Sequence, residues 1–241
     1  MTSEEILSEV NHIEIRTSER RGIKSYALRN NVLDEGQKES VLKYFPTHAV
    51  AFRDEFTKPE TLFKEDKPVI VEIGFGMGSS TEIIARERAE YNYLCLEVYL
   101  QGFVRLLKSV GEQNLDNIKL MRFNAVDVLE HMIPDGSVEG FHIFFPDPWP
   151  KKKHHKRRLI QSDLVSLLAR KLKKGGYLYL VTDWEEYAQW MMDILVNEPL
   201  LENPYEGYAP PRPWRPTTKF EQKGLDKDYK INELWFVRKQ A

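Results

Sequence analysis

The chain has 241 residues, 41% of them hydrophobic and 30% charged, with a formal net charge of −2. This is the make-up of an ordinary globular domain; it argues against a generally basic nucleic-acid binder, and no apolar run approaches the ~18 residues of a membrane-spanning helix. Cys95 is the single cysteine, so no internal disulfide can form, and an acidic N-terminus without a signal-peptide core fits a cytoplasmic protein.

Residues 1–65 are polar and weakly periodic, with Arg16, Arg20, Arg21, Lys24 and Arg29 scattered along them. They read as an irregular arm, with a short helix over 37–44 and its first fifteen residues mobile. From Pro68 onward, apolar strand-length runs alternate with amphipathic stretches, the pattern of a mostly parallel sheet with helices on both faces. We therefore divide the chain into an arm, 1–65, and a second domain, 66–241. Strands are expected at 69–73, 93–98, 118–123, 138–145 and 177–181, and helices at about 79–90, 100–111, 126–133, 159–172 and 185–197. Gly175-Gly176 serves as a helix stop. Residues 199–224, rich in proline and aromatics, read as a long ordered loop. A final strand over 232–238, reached by that long connection, is expected to join the sheet antiparallel.

The first strand runs into Gly74-Phe75-Gly76-Met77-Gly78, and Ser79 with Glu82 three residues on resembles a capping box opening the next helix. Strand, glycine loop and helix N-terminus in that order bring backbone N–H groups together where no Cβ blocks a ligand. Glu97 lies about twenty residues beyond the glycines, where an acid can accept the hydroxyls of a ribose. Ligands of open α/β sheets bind beyond the carboxyl ends of strands, so the loop, Glu97, Asn124-Ala125 and Phe145-Pro146-Asp147-Pro148-Trp149 should converge. Ser79 stands where a dinucleotide loop wants Gly or Ala, which favours S-adenosylmethionine over NAD. Glu72 sits inside an apolar run and needs donors; the loop N–H groups are expected to supply them. Asp147, between two prolines, is rigidly placed.

Residues 151–158 hold six Lys/Arg and no acid, so the rest of the chain carries −8. Such a tract on an acidic body can focus a phosphate backbone onto one face. His154 and His155 are adjacent, with no Cys or acid cluster beside them, and no metal is expected. A solvated charged face is the alternative reading of the tract.

Gly-Phe-Gly-Met-Gly (74–78), Phe-Phe-Pro-Asp-Pro-Trp (144–149) with its basic tail, Thr182-Asp183-Trp184 and Thr218-Lys219-Phe220-Glu221 together resemble the bacterial tRNA (guanine-N7-)-methyltransferase family. The resemblance covers the chain from about residue 25 to the end. It implies a class I, Rossmann-like methyltransferase fold, S-adenosylmethionine as donor and guanosine 46 of the tRNA variable loop as acceptor. Carried onto this chain, Glu72, Gly74, Phe75, Gly76, Gly78, Glu97, Asn124, Ala125 and Asp147 would line the cofactor. Asp147, as the catalytic residue, would hold the guanosine together with Lys151, Asp183, Thr218, Lys219, Phe220 and Glu221. Arg29, Lys152, Lys153, His154, Lys156, Arg157 and Arg158 would meet the RNA backbone. Asn124 replaces a frequent Asp of the family. No obligate protein partner and no membrane association are implied, and monomer and homodimer both stay open. A methyltransferase for another RNA or a small molecule, or an RNA-binding module without catalysis, are the alternatives.

Overall fold

The computed structural model describes residues 1–11, 32–218, 221–222 and 229–240. The first strand, β1 (Val69–Ile73), is buried along its whole length because the sheet is covered on both faces. Its alternate residues feed two separate cores: Val69 and Val71 pack with Leu164 and Leu168, while Ile70 packs with Cys95, Phe103 and Leu107. The helices between strands are α3 (Ser79–Glu87), α4 (Leu100–Gln113), α5 (Ala125–His131), α6 (Ser162–Lys171) and α7 (Glu185–Val196). The remaining strands are β2 (Asn92–Leu96), β3 (Ile118–Met121), β4 (Val138–Phe144), β5 (Leu172–Thr182), β6 (Leu201–Glu202) and β7 (Asn232–Arg238).

Among the described residues, seven strands form one sheet in the order β3-β2-β1-β4-β5-β7-β6. The pairs from β3 to β5 are parallel, and β7 joins β5 antiparallel, with Leu180 opposite Leu234. The mostly parallel sheet with an antiparallel last strand is therefore as expected. Chain order reverses between β1 and β4, so a crevice opens there at the carboxyl ends of the strands.

Three local expectations are corrected. The arm is not irregular at its start, where α1 (Ser3–Asn11) is a helix with Ile6 and Val10 buried; the helix expected over 37–44 is present as the longer α2 (Glu35–His48). Glu9 accepts the Phe52 N–H at 2.9 Å, and Arg122 donates to the Val10 carbonyl, so α1 is packed against the rest of the chain. The capping box belongs to α2, where Asp34 and Gln37 exchange side-chain and backbone hydrogen bonds. At α3 the cap is Gly78, in a left-handed conformation with φ 73°, and Glu82 pairs with Arg105 of α4 at 2.6 Å instead. Finally, Gly175 and Gly176 do not stop a helix but lie within β5, beside the register shift that follows the Val138–Leu172 pair.

Candidate active site

Gly74, Gly76 and Gly78 have φ of 79°, 56° and 73°, values that side chains resist, which is why this turn alternates glycine. The space a Cβ would occupy on Gly74 or Gly76 is open to 4 Å, and at Gly74 the bare backbone lines the crevice. On the other side the loop is tightly packed: a Cβ on Gly78 would strike Leu106, and one on Gly102 would come within 1.9 Å of the Gly76 carbonyl oxygen. The Gly74 N–H bonds the Leu96 carbonyl at 2.8 Å, holding the loop to the end of β2.

Just past that strand, the Glu97 carboxylate collects three backbone donors. Gly76 N–H reaches Oε2 at 2.7 Å, and the N–H groups of Val98 and Tyr99 reach Oε1 at 2.7 and 2.9 Å. Burial raises its pKa, and the three N–H groups and Arg122 pull the other way. Glu97, not Glu72, is thus the clamp on the loop. Glu72 lies beneath it on β1, 3% exposed, with the Cys95 thiol 3.9 Å away and Thr81 alongside. Burial pushes the Glu72 carboxyl up to about 7, only partly offset by Thr81.

The crevice has a volume of about 260 Å³ and is walled by Ile73, Leu96 and Phe123, with Glu97 and Asn124 as polar groups and Asp147 at its edge. Ala125 lines it, while Asn124 Oδ1 accepts the N–H groups of Val126 and Asp127 at 2.8 and 3.3 Å, capping α5. The side-chain oxygen of Asn124 is therefore occupied in holding the helix start. Apolar walls, a carboxylate prepared by three donors and an open glycine backbone suit a nucleoside: a flat base against the walls and ribose hydroxyls at the acid.

The loop bearing Asp147 leaves the sheet through Phe145, whose N–H bonds the Val181 carbonyl at 2.8 Å. Phe145 and Trp149, on either side of Pro146-Asp147-Pro148, have φ of 49° and 44°. Two bulky residues in the left-handed region so close along the chain mark a strained segment that its surroundings must hold. Asp147 itself is exposed, and Asp183 follows directly on β5, half-buried.

The basic tract forms a 3-10 helix, Lys152–Arg157, with Lys151, Lys152, Lys153 and Lys156 exposed. His154 packs edge-on against Trp149 with ring centroids 5.9 Å apart; partial burial lowers its pKa, and the surrounding lysines and Arg157 lower it further. Arg157 stacks its guanidinium over Trp149 at 4.0 Å. Arg158 corrects the reading of the tract as one phosphate-binding surface, because its side chain is fully buried and paired with Glu186.

Glu221 is likewise interior. Arg215 grips both its oxygens at 2.7 Å and reaches Glu233 at 2.9 Å and the Tyr179 hydroxyl at 3.0 Å. Through Arg215, Glu221 pins the end of the long connection to β5 and β7. Thr218 Oγ1 accepts the Glu221 N–H at 3.0 Å. Lys219, Phe220 and Arg29 lie outside the described residues. Among the described residues, no group of three or more His, Cys, Asp or Glu is placed to hold a metal, and no helix is long and apolar enough to cross a membrane.

Sequence reasoning overlooked Arg215, Glu186 and Gly102. Only Gly102 left a signal, a glycine in the first turn of an otherwise amphipathic helix.

Sheet order, glycine loop and crevice define a class I methyltransferase, and residues 66–234 match the family described as "Putative methyltransferase". Among solved structures, the 16S rRNA methyltransferase KamB superposes with a TM-score of 0.55 at 12% identity, covering 80% of this chain and 99% of that one. The aminoglycoside resistance methyltransferase NpmB1 gives 0.51 at 14% identity, covering 78% and 96%. These two share the fold. Much nearer in sequence is the tRNA (guanine-N(7)-)-methyltransferase of Methylobacillus flagellatus, 46% identical over 221 residues, 91% of this chain and 93% of its own. That of Chromobacterium violaceum is 44% identical over 220 residues, 91% of this chain and 97% of its own. The chain belongs to the tRNA (guanine-N(7)-)-methyltransferase family.

Proposed function

We propose that the acceptor of this enzyme is N7 of guanosine 46 in the variable loop of tRNA. The protein is a tRNA (guanine-N7-)-methyltransferase with S-adenosylmethionine as donor. The observation that carries the reading is the placement of Pro146 and Asp147 in the wall of the crevice that Gly74 and Glu97 also line, with the exposed lysines of the tract beginning at Lys151.

When bound, the cofactor supplies an electrophilic methyl on a sulfonium; that bond's electron pair stays on sulfur as the methyl joins the N7 lone pair. Guanine N7 carries no proton, so the chain needs no general base. Its residues have to align and stabilise instead. Glu97 takes the ribose hydroxyls and the bare backbone at Gly74 and Gly76 admits the rest of the cofactor. Phe75, Gly78 and Ala125 complete its bed, with Glu72 buried beneath it beside Cys95 and Thr81. The purine gains a positive charge in the reaction, and Asp147 and Asp183 stabilise it electrostatically while accepting the N1–H and 2-amino group that distinguish guanine from adenine. Thr218, Lys219, Phe220 and Glu221 bind the nucleoside, with Arg215 holding the Glu221 carboxylate.

Lys151, Lys152, Lys153, His154, Lys156 and Arg157 provide the phosphate surface, with Arg29 of the arm reaching the same RNA. Phosphate contacts set affinity and register, and selectivity comes from the shape of the RNA and an unstacked base. The enzyme works in the cytoplasm, where tRNA is, without an obligate protein partner.

Incubation with tritiated S-adenosylmethionine and bulk tRNA, followed by chain cleavage at N7-methylguanosine, tests the reading. Label released at position 46 is expected. Good cofactor binding with no label in tRNA, or with label in another RNA, would overturn it.

A further inference from the structure

Arg158 ends the basic tract, yet none of its side chain reaches solvent. Its Nε donates to the Pro148 carbonyl at 2.9 Å. Its terminal nitrogens meet both oxygens of Glu186, Nη1 to Oε1 at 3.1 Å and Nη2 to Oε2. The rings of Tyr187 and Trp190 lie 4.8 and 5.0 Å from the guanidinium. Two residues on, Ile160 donates its N–H to the Tyr187 hydroxyl at 3.1 Å and accepts the Trp190 indole N–H at 2.8 Å. Residues 158–160 are thus clamped along α7.

Pro148 is the residue after Asp147, and Glu186 is three residues beyond Asp183. One guanidinium therefore ties the loop that carries Asp147 to the first turn of α7, the helix that begins two residues after Asp183. Strand pairing does not reach this far: the last β4–β5 pair is Phe144 with Val181. Beyond it, the chain turns through the left-handed Phe145 and Trp149, a conformation that relaxes unless something grips it. Arg158 grips the carbonyl between them.

We propose that Arg158 is a positioning residue for methyl transfer, which with Glu186 fixes Asp147 in register with Asp183 and takes no part in holding the RNA backbone. This rests on the assignment of Asp147 and Asp183 to the guanosine. The requirement is for a planar fork with donors on three sides. A lysine ammonium in its place keeps the charge but cannot span the Pro148 carbonyl and both Glu186 oxygens. A displacement of Asp147 by about 1 Å is enough to slow an aligned reaction ~100-fold.

Because Arg158 is buried, Glu186→Gln, on a carboxylate that is 55% exposed, is tested beside Arg158→Lys. Single-turnover rates with saturating tritiated S-adenosylmethionine and tRNA are measured with the wild type alongside, together with cofactor affinity and the salt dependence of tRNA binding. Both variants should lose about 10- to 100-fold in rate while both affinities stay within about twofold and the salt slope is unchanged. Wild-type rates in both variants would overturn the proposal. So would affinities that fall in step with the rate, which mark general unfolding, or a salt slope that flattens in Arg158→Lys, which returns the residue to the phosphates. Failure of the wild-type enzyme to label guanine N7 would instead overturn the acceptor assignment.

Discussion

The Cα of Gly102, in the first turn of α4, lies so close to the Gly76 carbonyl that a Cβ would stand 1.9 Å from its oxygen. The glycine loop owes its position to this contact as much as to its own turn. An exposed helical Gly→Ala change stabilises by up to ~1 kcal/mol through helix propensity. At Gly102 the sign should reverse, since the atom met is backbone and cannot rotate away. Gly102→Ala is expected to lower the melting temperature and weaken S-adenosylmethionine binding by about tenfold or more, read by calorimetry and by equilibrium binding. A more stable variant with normal cofactor affinity would refute the contact.

Glu72 predicts a pH dependence. Its folded pKa of about 7 is well above the ordinary carboxyl value, so the folded state holds its proton to higher pH than the unfolded chain does. Sign follows directly: Glu72 costs the fold nothing below about pH 4.5, and stability is lost as pH rises toward 7 and levels off above it. Gln mimics the protonated form, so Glu72→Gln should gain on the wild type by roughly 2–3 kcal/mol between pH 5 and pH 8. Urea unfolding of both proteins at the two pH values measures this. A difference that does not change with pH counts against a buried, titrating Glu72.

Arg215 stands between two buried carboxylates, Glu221 at 4% and Glu233 at 2% side-chain exposure. Removing it leaves both without their cation, so Arg215→Ala should destabilise by about 3–5 kcal/mol. The double change Arg215→Met with Glu221→Leu should recover part of that loss, because one stranded charge goes with the cation. Guanidinium denaturation of the three proteins reads the difference.

The exposed lysines and the buried Arg158 should separate in salt titrations. Replacing Lys152, Lys153 and Lys156 with Gln should weaken tRNA binding and reduce the slope of log K against log salt by about 1 for each phosphate that no longer has its lysine. Filter binding over a range of salt concentrations measures it. An unchanged slope would make the tract a solvated face.

What was legible in the sequence was what local pattern controls. Apolar runs of strand length, glycines where φ must be positive and the long connection before β7 determined the sheet, the loop and the antiparallel closure. The last strand falls where it is expected, Asn232–Arg238. Position in the sheet then follows, because residues at the carboxyl ends of parallel strands share one edge.

Partnership was not legible, because it depends on which side chains meet across the fold. A run such as Lys-Lys-Lys-His-His-Lys-Arg-Arg looks uniform along the chain, but its last residue turns under the loop, where Glu186, Tyr187 and Trp190 of a later helix receive it. Glu82 reads as a cap and pairs with α4; Glu221 reads as a ligand and pairs with Arg215. The sequence by itself determined that a nucleoside crevice and a basic face lie side by side. Only the tertiary structure decided which charges face outward to a ligand and which are spent inside, since a buried charge must find its partner within the fold whatever its neighbours in sequence are.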